Sequence, residues 1–238
     1  MDVITTHTNA DFDALASMLA AKKLYPDASL VFPGSQERSL RDFFVHSTLY
    51  VFETQRMKDI DLGKITRLIL VDTRQLSRIG RFRLIIGRPD VEIHIFDHHP
   101  PTSEDIHGSL EVIREVGATV TIMLSVLREK EIEVDADEAT VMMLGLYEDT
   151  GGLTYSSTTS EDFDAAGYLR ARGGSVNIIS DMITRELTAE QVFLLNDLIR
   201  SATQYTVNGV SLVIAIASVD RYIGDIAVLV HKLKDMEN

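Results

Sequence analysis

The stretch Val91 to Phe96 (VEIHIF), closed by Asp97-His98-His99 and a Pro100-Pro101 pair, constrains the fold of this chain more than any other. Its apolar, largely β-branched side chains read as a buried strand, and a proline pair neither continues a strand nor opens a helix smoothly. The acid and the two histidines therefore stand where the backbone leaves a sheet. Leu68 to Asp72 (LILVD) repeats the pattern, an apolar run ending on a carboxylate. Strands apolar at successive positions are buried on both faces, the habit of parallel sheets covered on each side. In open sheets of that kind ligands bind outside the carboxyl ends of the strands, so the placement of these polar endings agrees with their chemistry.

The neighbouring sequence keeps the same rhythm. Val3 to Thr6 and Leu30 to Phe32 read as further strands, and Asp13 to Leu24, Gln36 to Val45 and Leu76 to Ile86 as the helices between strands. The fold class is α/β, a parallel sheet with flanking helices. After Gly108 the pattern turns mainly helical, with Thr119 to Lys130, Asp137 to Tyr147, Ser160 to Arg170 and Val176 to Met182 as candidates. Thr188 to Gln204 predicts a longer helix with Val192, Leu195, Leu198 and Ile199 on one side, suited to a connector. Tyr205 to Val207 and Val210 to Ala217 flank Asn208-Gly209, a strong hairpin signal, and Ile223 to Lys232 reads as a last helix. The expected division is a domain at 1–183, a connector helix at 184–204 with its boundary near Thr184 to Leu187, and the opening part of a second α/β domain at 205–238. That last piece is too small for an independent core.

With 238 residues, 45% of them hydrophobic and 25% charged, the chain can bury a substantial core. A net charge of -13 and the lack of any Lys/Arg-rich block exclude charge-driven binding to long duplex nucleic acid or to an anionic membrane. Small phosphorylated substrates stay open, because bound divalent cations reverse the sign of a carboxylate-lined cleft. Without cysteine, any metal must be held by oxygen and imidazole ligands. No stretch has transmembrane length, and the N-terminus lacks the basic start and apolar run of a signal peptide, so the expected location is cytoplasmic.

Such ligands are present. THTNADFDA follows the first strand and supplies His7, Asp11 and Asp13, which a strand-to-helix turn can point to one place. Helix capping accounts for one of these aspartates but not for the group. Asp72 ends a strand of its own, and strand ends of a parallel sheet share one rim. Asp149 closes the helical run MMLGLYED before Thr150-Gly151-Gly152, with Glu148 as its competitor. Two adjacent carboxylates at a helix C-terminus oppose the helix dipole, a conflict that a nearby cation removes. Two divalent ions about 3.5 to 4 Å apart need several ligands each and a bridging carboxylate, and these segments supply that number. A mixed imidazole and carboxylate set points to Mn first, with Mg or Co as substitutes.

The order His7-x3-Asp11-x-Asp13, Asp72, Asp97-His98-His99 and Asp149 resembles the DHH phosphoesterase superfamily. That group includes RecJ-type nucleases, family II pyrophosphatases, nano-RNases, cyclic-dinucleotide phosphodiesterases and exopolyphosphatase-related proteins. The resemblance implies one metal on His7, Asp11 and Asp72 and a second on Asp13, Asp72, His98 and Asp149, with Asp72 bridging. It implies that Asp97 orients a histidine, and that His99 faces substrate phosphate as hydrogen-bond or proton donor. It further implies that the chain holds the first hairpin and helix of a DHHA1-like domain, without that domain's glycine-rich substrate motif. Related modules often pair, which makes a homodimer an expectation, and further domains are expected to follow in a longer protein. Tyr222, Gly224, Asp225, Ile226, Ala227 and the ending LVHKLKDMEN look like DHH modules fused to CBS and poly(A)-polymerase-like nucleotidyltransferase domains in bacteria.

Arg74 and Arg78, just beyond Asp72, have the geometry to neutralise a substrate phosphate or else lie at the surface. Thr159 or Ser160, before Glu161 and Asp162, reads as a helix N-cap in preference to a phosphate contact. The function expected is Mn-dependent hydrolysis of phosphodiester or phosphoanhydride bonds in small substrates such as short oligonucleotides or cyclic dinucleotides. The alternatives are a metal-dependent nucleotide-sensing module of a larger protein, and a pyrophosphatase or exopolyphosphatase.

Overall fold

The computed structural model describes residues 1–46, 53–183, 187–221, 223 and 226–236, which fall into two compact units, 1–183 and 184–238. Residues 184–186 of the expected boundary, and Tyr222, Gly224 and Asp225, lie outside the described residues.

In the first unit a six-stranded, wholly parallel sheet has the order β3-β2-β1-β4-β5-β6. Its strands are β1 (Asp2–Thr5), β2 (Ser29–Val31), β3 (Thr54–Gln55), β4 (Arg67–Val71), β5 (Glu92–Asp97) and β6 (Leu110–Ile113). The helices are α1 (Phe12–Leu24), α2 (Arg38–His46), α3 (Thr119–Glu129), α4 (Ala136–Asp149), α5 (Ser160–Ala171) and α6 (Val176–Ile183). The central strands are buried on both sides because successive residues serve different cores. Ile69, Val71 and Phe96 join Phe12, Leu15, Met18, Met142 and Leu144 on the helical face. Leu68, Leu70, Ile93 and Ile95 meet Ile60, Ile65, Ile79, Phe82 and Ile85 on the other.

That second face is closed by turns. The α-helix predicted over Leu76 to Ile86 is instead two short 3₁₀ segments, Leu76–Arg78 and Gly80–Ile85. Gly80 has φ +55, and a Cβ there would stand 2.6 Å from the Pro33 carbonyl oxygen, so the close approach of two backbones breaks the helix. Strand β6, which pairs in parallel with β5, carries no strand signal in the sequence. LEVI is a four-residue edge strand with mostly exposed side chains, and it lacks the apolar run that marks the central strands.

The second unit holds α7 (Ala189–Ser201), the antiparallel hairpin β7 (Thr203–Val207) and β8 (Val210–Ile214), and α8 (Ile226–Met236). Asn208 and Gly209 at φ +53 and +81 form the tight hairpin turn. Helix α7 stops at Ser201, short of the predicted Gln204, because Thr203 already begins β7. Leu194 and Leu195 of α7 pack with Leu229 of α8 in a small cluster of their own. Among the described residues no helix is long and apolar enough to cross a membrane.

Candidate metal centre

Register decides what meets at the carboxyl edge of the sheet. Thr5 pairs with Leu70 and Val71 with Phe96, so the residues that follow β1, β4 and β5 emerge side by side. The strand order changes direction between β1 and β4, and connections diverging from such a point leave a crevice between them. His7, Asp11 and Asp13 come from the β1–α1 turn, Asp72 from the end of β4, and His98 and His99 from the end of β5. Asp149 arrives as the last residue of α4, which packs on α1.

Asp72 stands at the middle. Its Oδ2 lies 3.2 Å from His7 Nε2, which is 3.6 Å from Asp11 Oδ2. Its Oδ1 lies 3.6 Å from His98 Nε2, which is 3.3 Å from Asp149 Oδ2. Asp13 is fully buried, and its two oxygens accept the Thr119 and Val120 N–H groups at 2.7 and 3.0 Å, so it caps α3 from a neighbouring element. Ligand-bearing atoms of His7, Asp11 and Asp72 lie within 4.8 Å of one another, as do those of Asp13, Asp72, His98 and Asp149. A third such group is Asp72, His98 and His99.

The ring orientations suit cation binding. His98 Nδ1 donates to the Val116 carbonyl at 3.0 Å and His7 Nδ1 to that of Thr8 at 3.0 Å, which turns both Nε2 atoms toward the carboxylates. The buried His98 Nε2 makes no hydrogen bond. Burial opposes a charge on His98 and on His7, yet the carboxylates outweigh it. Asp149, Asp13 and Asp72 raise His98 to about 10, and Asp11 and Asp72 raise His7 to about 10. Burial first, then Asp72 and Asp149, pushes the Asp13 carboxyl well up. Asp149 is raised to about 6, again by burial first and against the pull of His98. Asp11 moves down, because its contact with His7 overcomes burial. Four crowded carboxylates and two imidazoles fit divalent cations, which relieve the repulsion and give His98 Nε2, ion-paired but without a hydrogen bond, a ligand's role.

The sequence profile described as "DHH family, N-terminal domain" matches residues 3–146. The chain belongs to the DHH family. It is 56% identical over its whole length to an A-adding tRNA nucleotidyltransferase of Geobacter sulfurreducens, of which it spans 27%. It is 30% identical to the cyclic-di-AMP phosphodiesterase GdpP of Geobacillus thermodenitrificans, over 80% of this chain and 30% of that one. A crystal structure of an exopolyphosphatase-related protein from Bacteroides fragilis superposes with a TM-score of 0.69 at 17% identity, covering 86% of this chain and 62% of the other, a likeness of fold.

One expectation for this DHH chain needs correcting. Arg74, expected at a substrate phosphate or at the surface, is 3% exposed, and its guanidinium donates to Asp97 Oδ2 at 2.9 Å, Asp105 Oδ2 at 2.6 Å and the His99 carbonyl at 2.9 Å. It braces the triplet instead. Asp97 orients His99 and not His98, accepting from His99 Nδ1 at 2.8 Å.

The sequence reading missed several partners in the DHH site. Thr119 Oγ1 donates to Asp72 Oδ1 at 2.9 Å, and Glu148 accepts the Phe12 N–H at 2.8 Å, holding the start of α1 between Asp11 and Asp13. Glu148 stands out in the sequence as the competitor of Asp149 and Thr119 as the opening of a helix, while Asp105 carries no signal. Thr159 is the N-cap of α5, its N–H donating to Asp162 at 2.7 Å, as the capping reading has it. At the opposite edge of the sheet, Arg67 and Arg88 border an open hollow, but Arg67 is paired with Asp2 and Glu92, and Arg88 with Asp90.

Proposed function

We propose that this chain is a two-metal phosphoesterase. His7, Asp11 and Asp72 hold one divalent cation, and Asp13, Asp72, His98 and Asp149 the other. Its substrates are phosphodiester or phosphoanhydride bonds in small molecules, short oligonucleotides or cyclic dinucleotides first. The observation that carries the reading is the shared carboxylate, with Asp72 Oδ2 toward His7 at 3.2 Å and Oδ1 toward His98 at 3.6 Å. Two divalent cations in such an arrangement supply water activation near neutral pH and neutralise charge on the phosphoryl oxygens. Mixed imidazole and carboxylate donors favour Mn.

The chain's own groups do the rest. Asp97, held by Arg74, fixes the His99 ring through Nδ1. Nε2 of the half-buried ring is then left facing outward, and in the ring's doubly protonated form it is the atom that donates to a phosphoryl or leaving oxygen. Similarity to a protein named as a cyclic-di-AMP phosphodiesterase supports the choice of phosphodiesters.

The test is a Mn-supplemented panel of pApA, cyclic di-AMP, pyrophosphate and polyphosphate on the chain and on Asp72→Asn. The chain should load two ions and cleave a phosphodiester, and Asp72→Asn should lose Mn and at least ~100-fold in turnover. An Asp72→Asn protein that keeps both Mn stoichiometry and hydrolysis sinks the reading. A second reading, a nucleotide-sensing module of a longer protein, is favoured by the 56% identity to an A-adding tRNA nucleotidyltransferase of which the chain spans 27%. Tight Mn-dependent binding of pApA without product selects it. Preference for pyrophosphate or polyphosphate selects a pyrophosphatase or exopolyphosphatase.

A further inference from the structure

The two arginines beyond Asp72 have different fates. Arg74 is enclosed by Asp97, Asp105 and the His99 carbonyl. Arg78, at the end of the 3₁₀ turn Leu76–Arg78, is half-buried, and its guanidinium has no hydrogen-bond or ion-pair partner among the described residues. Its position is nevertheless fixed, because its carbonyl accepts the Thr8 N–H at 2.7 Å and ties the turn to the segment that carries His7 and Asp11. Arg78 lines a narrow crevice together with His99, Arg74, Asp97 and Asp105, and the two carboxylates there are already held by Arg74.

A partly desolvated cation without a partner calls for an anion. The carboxylates of Asp11, Asp13, Asp72 and Asp149 do not fill that role once two divalent cations balance their charge. We propose that Arg78 is a phosphate-binding residue, donating from its guanidinium to a non-bridging oxygen of the substrate beside the segment that carries His7 and Asp11. This rests on the phosphoesterase reading. A planar guanidinium offers paired donors to one phosphate, and the turn that carries it is already ordered.

The experiment titrates the whole Mn-loaded chain with AMP and with inorganic phosphate by calorimetry, and counts bound Mn separately. Arg78→Ala should keep its Mn and bind AMP at least roughly tenfold more weakly, and Arg78→Lys should fall between it and the parent. The exposed Arg81, changed to Ala, removes the same charge nearby and should leave both readings unaltered. If Arg78→Ala fails to fold, Arg78→Lys and Arg78→Gln carry the comparison. A folded Arg78 variant that binds AMP as the parent does overturns the proposal, and so does one that loses Mn, since Arg78 then supports the centre itself. A parent chain that loads Mn but binds no AMP or phosphate overturns this proposal together with the phosphoesterase reading. A parent that binds AMP through Arg78 but cleaves nothing defeats that reading alone.

Discussion

Asp72 has φ +59, in the left-handed region that aspartate tolerates better than most side chains. Its N–H still donates to the Phe96 carbonyl at 2.9 Å, so the backbone kinks while staying pinned to β5. The two oxygens then serve His7 and His98 on opposite sides. Those histidines set a pH dependence. Without metal, each is raised from 6.5 to about 10, so its protonation stabilises the fold fully below pH 6.5, and this is lost as pH rises through 10. Asp149, raised from 3.8 to about 6, acts in the same direction at lower pH. A divalent cation needs these groups deprotonated, so its affinity climbs over the same range. The metal-free chain should melt at progressively lower temperature from pH 6.5 to 10, while Mn binding tightens and releases protons. Calorimetry in buffers of different ionisation enthalpy reads the protons. An affinity independent of pH would show that His7 and His98 are not ligands.

At the scale of elements, the centre depends on α4 lying close against α1. Gly145 sits in the interior of α4, and a Cβ there would come within 2.7 Å of Ala16 Cβ, 2.8 Å of the Phe12 carbonyl oxygen and 2.9 Å of Asp13 Cα. Gly145→Ala must therefore push α1 away and carry Asp13 with it. The expected cost is ~1–3 kcal/mol in denaturant unfolding, together with weaker Mn binding. Gly167 in α5 is the contrast: it is exposed, and a methyl added there would have nothing within 4 Å, so Gly167→Ala should be neutral or stabilise by up to ~1 kcal/mol. Equal effects at the two positions would show that close packing is not the reason for Gly145. The contacts at Gly145 also explain what the sequence left hidden. Strands β4 and β5 were legible because burial on both faces demands an apolar run, and Asp72, Asp97, His98 and His99 were legible because they end such runs. Edge strand β6 has no such demand on it, and the apolar spacing of Leu76 to Ile86 looked helical because Pro33, more than forty residues earlier, is what blocks the helix at Gly80. Thr119 on Asp72 and Glu148 on Phe12 bridge elements far apart in the chain, and local pattern carries no record of such contacts.

For the whole molecule, the division of labour follows from where the ligands and the cores lie. His7, Asp11, Asp13, Asp72, His98 and Asp149 all fall within residues 1–183, and both cores flanking the parallel sheet are built from that unit alone. Among the described residues the unit at 184–238 has only the small cluster around Leu194, Leu195 and Leu229, and every residue of β7 and β8 is exposed. An exposed two-stranded hairpin is marginally stable by itself, and contiguous apolar side chains in water favour association. Tyr205, Val207, Val210, Leu212 and Ile214 are such side chains. Residues 1–183 produced alone should therefore melt cooperatively, load two Mn with affinity within a few-fold of the whole chain, and show less concentration-dependent light scattering. Loss of one ion in that fragment would mean that residues 184–238 shape the centre, and unchanged scattering would remove the hairpin as the source of association.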